Sequence, residues 1–225
     1  MEEVMEDVDD SSLSSGRFPE LSEFALPEGF PIYVAILVVA CTLLWTGLLF
    51  VRRRRLTLAK ARRHFVKGAS FLAEAQRKGM SPTQAKVLAE QAIVEADLAI
   101  GIDPNDAAHH IVKSLALEVV GKSGAAIKEL ATALSRPKSL SIPERSSTLV
   151  KKAALESESG MIQEALQDLE ESVSLTPKNP RLQILLGEAY EKDGNVDKAI
   201  QAFNQAVLLD PKSPDAKQAL QRLQG

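Results

Sequence analysis

The chain has 225 residues, 45% hydrophobic but only 4% aromatic, with 27 basic against 30 acidic side chains and a formal net charge of -3. That size suits one or two domains, and the apolar fraction is ordinary for a globular protein. The single cysteine, Cys41, excludes an internal disulfide framework and a cysteine-rich zinc site. The small net charge conceals an uneven distribution.

Residues 1–30 hold Glu2, Glu3, Glu6, Asp7, Asp9, Asp10, Glu20, Glu23 and Glu28 against one base, Arg17. This leaves about eight negative charges before any core begins. With Ser11, Ser12, Ser14 and Ser15 among them, the segment has too little apolar surface to bury and is expected to be a disordered acidic tail. The functional alternative is an acidic docking arm for a basic partner. A transit peptide, rich in arginine and poor in acids, is not what these residues spell.

Residues 31–51 come next, and from Ile32 to Val51 no residue is charged. A helix of that length rises about 30 Å, the thickness of a bilayer's hydrocarbon core, so a single transmembrane helix is predicted, with lipid bilayer along 32–51. A cleaved signal peptide fits less well, because it begins with a basic region and has a shorter apolar core. Cys41 falls mid-helix, where it reads as apolar filler; acylation suits a juxtamembrane position better.

Arg52, Arg53, Arg54 and Arg55 end the apolar run, and Lys60, Arg62, Arg63 and Lys67 follow before the next acid, Glu74. Under the positive-inside rule these arginines orient the helix, hold the C-terminal region in the cytosol and send the acidic tail across. A basic flank also favours the anionic leaflet. As a nucleic-acid site the cluster lacks interleaved aromatics and abuts the membrane segment, so no nucleic-acid partner is expected. Residues 52–60 are read as a basic juxtamembrane linker.

The remaining chain falls into helical pairs. Residues 61–106 carry Ala92, Ala96 and Ala99 on one face, after KGASFL at 67–72 and a long turn around Gly79. There Ser81 and Pro82 supply an N-cap and a first helical residue. In residues 107–140, Leu117, Gly121, Ala126, Leu130 and Ala133 repeat the pattern, and an insertion over 139–147 restores phase. Residues 146–179 repeat it with Gly160, Ala165, Leu169 and Pro177, and residues 180–213 with Leu186, Gly187, Tyr190, Gly194, Ala199, Phe203, Ala206 and Pro211. No run alternates as a half-buried strand does. Residues 214–225 place Ala216, Leu220 and Leu223 on one face, which suits a terminal cap helix.

The last unit resembles the tetratricopeptide repeat, a 34-residue helix–turn–helix with an L-G-x-x-Y, A-x-x-x-F and P pattern, although Gln183 stands at the tryptophan offset. The expected fold is all-α: a tetratricopeptide-like α-solenoid of three to four helix pairs plus a C-terminal cap helix, after one N-terminal transmembrane helix. Whether 61–106 belongs to the array or is a separate helical pair stays open at this level.

Catalytic chemistry has no evident seat. His109 and His110 are adjacent and point to different sides of a helix, and Gly121-Lys122-Ser123-Gly124 lacks the upstream glycine and strand of a phosphate loop. No catalytic residue, metal or cofactor is expected, and the chain is not expected to be an enzyme.

The resemblance implies a concave face lined by the first helix of each unit. The family's inward offsets fall on Arg62, Phe65, Ala69 and Leu72; on Ala108, Ile111, Leu115 and Glu118; on Ser147, Val150, Ala154 and Ser157; and on Arg181, Ile184, Glu188 and Glu191. None is lysine or asparagine, the residues that family members use to grip the acidic tails of heat-shock proteins, which argues against chaperone-tail docking. What remains is an apolar floor of Phe65, Leu72, Ile111, Leu115, Val150 and Ile184 with Glu188 and Glu191 toward one end. It suits protein or peptide partners, an amphipathic helix or extended segment. The competing reading is that packing between units covers these side chains. The resemblance implies a membrane-anchored adaptor, with a docking receptor or an assembly subunit of a membrane complex as alternatives. Signal-anchored proteins of the mitochondrial or chloroplast outer membrane share this layout, and the endoplasmic reticulum also fits.

Overall fold

The computed structural model of the protein describes residues 30–136 and 139–224, and no strand occurs among them. The acidic tail expected over 1–30 lies outside the described residues except for Phe30. The helices in order are α1 Phe30–Ala75, α2 Pro82–Ile102, α3 Ala107–Val120, α4 Ser123–Leu134, α5 Ile142–Glu158, α6 Ile162–Leu175, α7 Pro180–Lys192, α8 Val196–Leu209 and α9 Pro214–Gln224. The chain divides into two compact units between Arg53 and Arg54.

In the first unit, residues 32–51 are helical and exposed at every position. Their mean hydropathy reaches 2.6 over an 18-residue window. Thr42 and Thr46 donate their hydroxyls to the Val39 and Leu43 carbonyls at 2.8 and 3.0 Å, which satisfies two polar groups within the helix itself. The helix does not end at the arginines. Residues 52–60, expected as a linker, continue it, and α1 stops only at Ala75. Arginine, leucine, alanine and lysine are good helix formers, and no glycine or proline interrupts that stretch.

In the second unit the C-terminal part of α1 packs on α2, and α3 with α4, α5 with α6 and α7 with α8 form three more antiparallel pairs; α9 closes the series. The turns explain the regularity. Gly121, Gly160 and Gly194 adopt φ of 84°, 81° and 79°, the left-handed region that glycine enters without a Cβ penalty. After each, an N–H reaches back five residues: Lys122 to Leu117 at 2.9 Å, Met161 to Glu156 at 2.8 Å and Asn195 to Tyr190 at 2.9 Å. This is the Schellman arrangement that ends a helix and turns the chain. Ser81 caps α2 by accepting from the Gln84 N–H at 3.3 Å, as its position before Pro82 suggests.

The core is built from small residues at the predicted offsets. Ala92, Ala99, Ala126, Ala133, Ala165, Ala199 and Ala206 are fully enclosed, and so is Phe203. Two glycines of the first helices permit close approach. A Cβ on Gly187 would come within 2.7 Å of the Phe203 ring, and one on Gly68 within 3.3 Å of the Ala92 carbonyl oxygen. These two glycines occupy the same place in KGASFL and LGEAYE, one facing helix backbone and the other an aromatic ring.

Candidate functional site

Of the expected concave floor, packing between helices buries Leu72, and Phe65, Ile111, Leu115, Val150 and Ile184 are half-buried. Leu72 is buried among Ala89, Ala92, Ala96, Val112 and Ala116, with Phe65 and Leu115 packed half-buried against that cluster. It therefore offers a partner little surface. Phe65 also meets the His109 ring, tilted at 49° with centroids 5.6 Å apart. Ile111 packs half-buried against the cluster of Leu117, Ala126, Leu130 and Leu155. Ile184 packs against the cluster around Leu186 and Phe203, and Glu191 is held by Arg222 of α9 at 2.5 Å.

Between α5 and α7 lies a concavity of about 170 Å³ lined by Val150, Ala154, Ser157, Glu158, Leu185, Glu188 and Lys192, with Ala153, Leu169 and Ala189 beneath. Of the expected contact residues it unites Val150 and Glu188. Leu185 and Glu158 join them, each one residue from a named offset. Its rim is polar: Lys192 donates to the Ser157 hydroxyl at 2.9 Å, while Glu158 and Glu188 are exposed and have no ion pair among the described residues. The site can therefore hold an apolar side chain with a positive group beside it.

Arg52, Arg53, Arg54 and Arg55 are exposed and, among the described residues, form no ion pair. Arg54 lines a second concavity, of about 710 Å³, together with Asp103, Asn105, Asp106, Ser135, Arg136 and Ser139.

A second pattern was not read from the sequence. His64 and Lys67 of α1 both bond Glu95 of α2, the histidine at 2.7 Å. In the next pair His110 and Lys113 bond Glu129, each at 2.7 Å. In the third, Lys152 reaches Asp168 at 2.8 Å and Glu156 at 2.5 Å. The lysine and its acid stand 16 residues apart in the third pair and 28 in the first, because both the turn and the helical stretches that flank it are longer in the first. The signal was present in duplicate, as HFVK at 64–67 and HIVK at 110–113. These groups bridge the two helices of a pair.

Their protonation follows from their partners. Hydrogen bonds from Lys67 and then His64 hold Glu95 below the usual carboxylate range. Burial pushes Glu129 up, but His110 and Lys113 outweigh it and leave the carboxyl low. Burial dominates for Glu156 and Asp168, and both are raised despite Lys152; the Glu156 Oε2 has no partner. Tyr190, buried and donating to Glu170, is pushed up to about 12. Among the described residues no group of three or more metal-ligating side chains forms a metal site.

Helix pairs of this length, glycine turns at one repeated offset and small-residue contacts between first and second helices define a tetratricopeptide-repeat solenoid. Residues 157–223 match the family model described as tetratricopeptide repeat. Solved structures share the fold. A MamA double mutant is similar at 25% identity and a TM-score of 0.55, covering 70% of this chain and 83% of that one. PilF of Pseudomonas aeruginosa aligns at 20% identity and 0.55 over 76% of this chain and 68% of its own. A tetratricopeptide repeat protein from Parabacteroides merdae aligns at 20% and 0.61 over 74% and 61%. No curated protein sequence matches the chain significantly. The fold is one that mediates protein–protein interaction.

Proposed function

We propose that this protein is a membrane-anchored adaptor that acts by binding, not catalysis, and that presents its repeats in the cytosol. The anchor would be Ile32–Val51, whose uniform exposure, apolar composition and internally satisfied threonines suit lipid on all sides. The basic residues from Arg52 to Lys67 support the cytosolic orientation. An organelle outer membrane, mitochondrial or plastid, is the favoured location and the endoplasmic reticulum the alternative.

The observation that carries the binding role is the concavity between α5 and α7, where exposed Ala154 and half-buried Val150 and Leu185 line one surface. A partner's extended segment or helix would seat one apolar side chain there. Proteins recovered with the detergent-extracted full chain are expected to be lost with Ala154→Arg, an exposed position where the new side chain fills the concavity without entering the core. Retention of every partner by that variant would sink the groove. Transient recovery of soluble clients would mark a docking receptor, and stoichiometric co-purification an assembly subunit.

Topology has a separate test. A C-terminal tag on intact, fractionated membranes is expected to be digested by added protease without detergent. Protection until detergent is added, or a tag that fractionates as soluble, overturns the orientation or the anchor.

A further inference from the structure

The second helices of the four pairs supply an internal control for surface chemistry. At the offset of Val94, α4, α6 and α8 carry Lys128, Gln167 and Gln201. At the offset of Leu98 they carry Thr132, Glu171 and Gln205. At these two offsets three of the four second helices are thus polar. In α2 the same face is apolar, with Val87, Val94 and Leu98 exposed by 50%, 59% and 47% and belonging to none of the core clusters.

These residues form a register. Val87, Gln91, Val94, Leu98 and Gly101 alternate spacings of four and three, the seam along which two helices pack side by side. At 1.5 Å per residue the seam runs about 21 Å. Gly101 leaves open space at one end, and at the other Val87 lines a concavity of about 370 Å³ with Met80 and Leu88. Glu90 and Asp97 flank one edge, the former exposed and the latter shared with Lys113 at 2.9 Å.

We propose that the outer face of α2 is a second docking surface, separate from the concave groove, whose occupant is a partner's amphipathic helix with an apolar three–four seam and lysine or arginine beside it. Charge selects this occupant. Two copies of α2 paired antiparallel would set Glu90 against Asp97 of the other copy, and like charges there oppose self-association. An anionic lipid surface would meet the same two acids. A basic flank is attracted by both. The lone glutamine at Gln91 fits a register-fixing polar position within an apolar seam.

The test uses the detergent-solubilised full chain and a fluorescent designed helix of three heptads with leucine along the seam and lysine at its flanks. A control probe has glutamate at the flanks. The lysine probe is expected to bind, and the double variant Val94→Lys, Leu98→Thr, which installs the residues of α4, is expected to weaken it by at least about tenfold. Those residues are exposed, so the helical spectrum should not change. Equal binding by the variant overturns the surface, and equal binding of the glutamate probe overturns its charge selection. Two further outcomes would replace the occupant: self-association that the double variant abolishes would name a second copy, and variant-sensitive binding to phosphatidylserine vesicles would name lipid.

Discussion

The first two helix pairs and the last solve one geometric problem with different chemistry. At one set of offsets the last pair has Gln183, Leu186 and Ala202, and the second has His110, Lys113 and Glu129. The first has His64, Lys67 and Glu95 there, yet Gly68 stands against the Ala92 backbone where its counterpart Gly187 stands against the Phe203 ring. Shape is therefore set by the small residues and the turns, whereas the contact beside them is interchangeable between an apolar packing and a cluster whose charges are paired, even where the His110 Nε2 has no partner. An unsatisfied cluster is not interchangeable, because a buried charge without partners costs far more than a buried methyl stabilises.

The hardest blow to this comparison falls on Phe203, which is fully buried and fills the space that Gly187 leaves. Phe203→Ala should cost about 3–5 kcal/mol, read as a lower thermal midpoint of the full chain in detergent. The first pair has Ala96 at that offset and fills its interior with Leu72, Phe65 and Phe71 instead. A loss under about 1 kcal/mol would show that the last pair does not depend on the ring and that the shared geometry is accidental.

Of intermediate size is an exchange between the two chemistries. Glu129→Ala alone should cost about 1–3 kcal/mol, since it strips His110 and Lys113 of their shared acceptor. The triple change His110→Gln, Lys113→Leu, Glu129→Ala installs the residues of the last pair and is expected to recover most of that loss, as replacement of a whole buried cluster often does. Denaturant midpoints of both variants decide it. A triple variant weaker than the single one would mean that the clusters are not interchangeable with packing.

The sequence made the turns and small residues legible because each has one strong physical reason: glycine for the left-handed turn, alanine for close approach, proline for the break. Those offsets fall on the left-handed glycines and the enclosed alanines of the described helices. Two features escaped. The helix through residues 52–60 looked like a linker because its charge drew attention from its helix propensity, and charge at a helix surface does not end a helix. The histidine and lysine contacts escaped because a periodic scan weighs apolar residues, whereas these positions are polar and their partners lie 16 or more residues away. The concave floor was only partly legible. Leu72 and Val150 hold corresponding kinds of offset, but whether a neighbouring helix covers them depends on packing across pairs, and the sequence fixes no such distance.

The smallest expected effect is also the one with a sign to test. Glu95 is held below its ordinary pKa in the fold, so its contribution is present above the unfolded value, about 4.3, and disappears as pH falls through the depressed folded value. Glu95→Gln should therefore destabilise the chain at neutral pH, and the gap to the parent should close in acid. Glu156 runs the other way. Its folded pKa is raised by burial, so stability falls as pH rises from the unfolded to the folded value, and the full cost of ionisation is present above that window. Glu156→Gln keeps an acceptor for Lys152 without the charge and should equal or exceed the parent at neutral pH, with its advantage vanishing on acidification. Thermal midpoints of the parent and both variants from neutral pH to pH 3 separate the two signs. If both substitutions destabilised the chain equally at neutral pH, the third pair's buried acids would have to be as well satisfied as those of the first, and the orphaned Oε2 of Glu156 would have no energetic meaning.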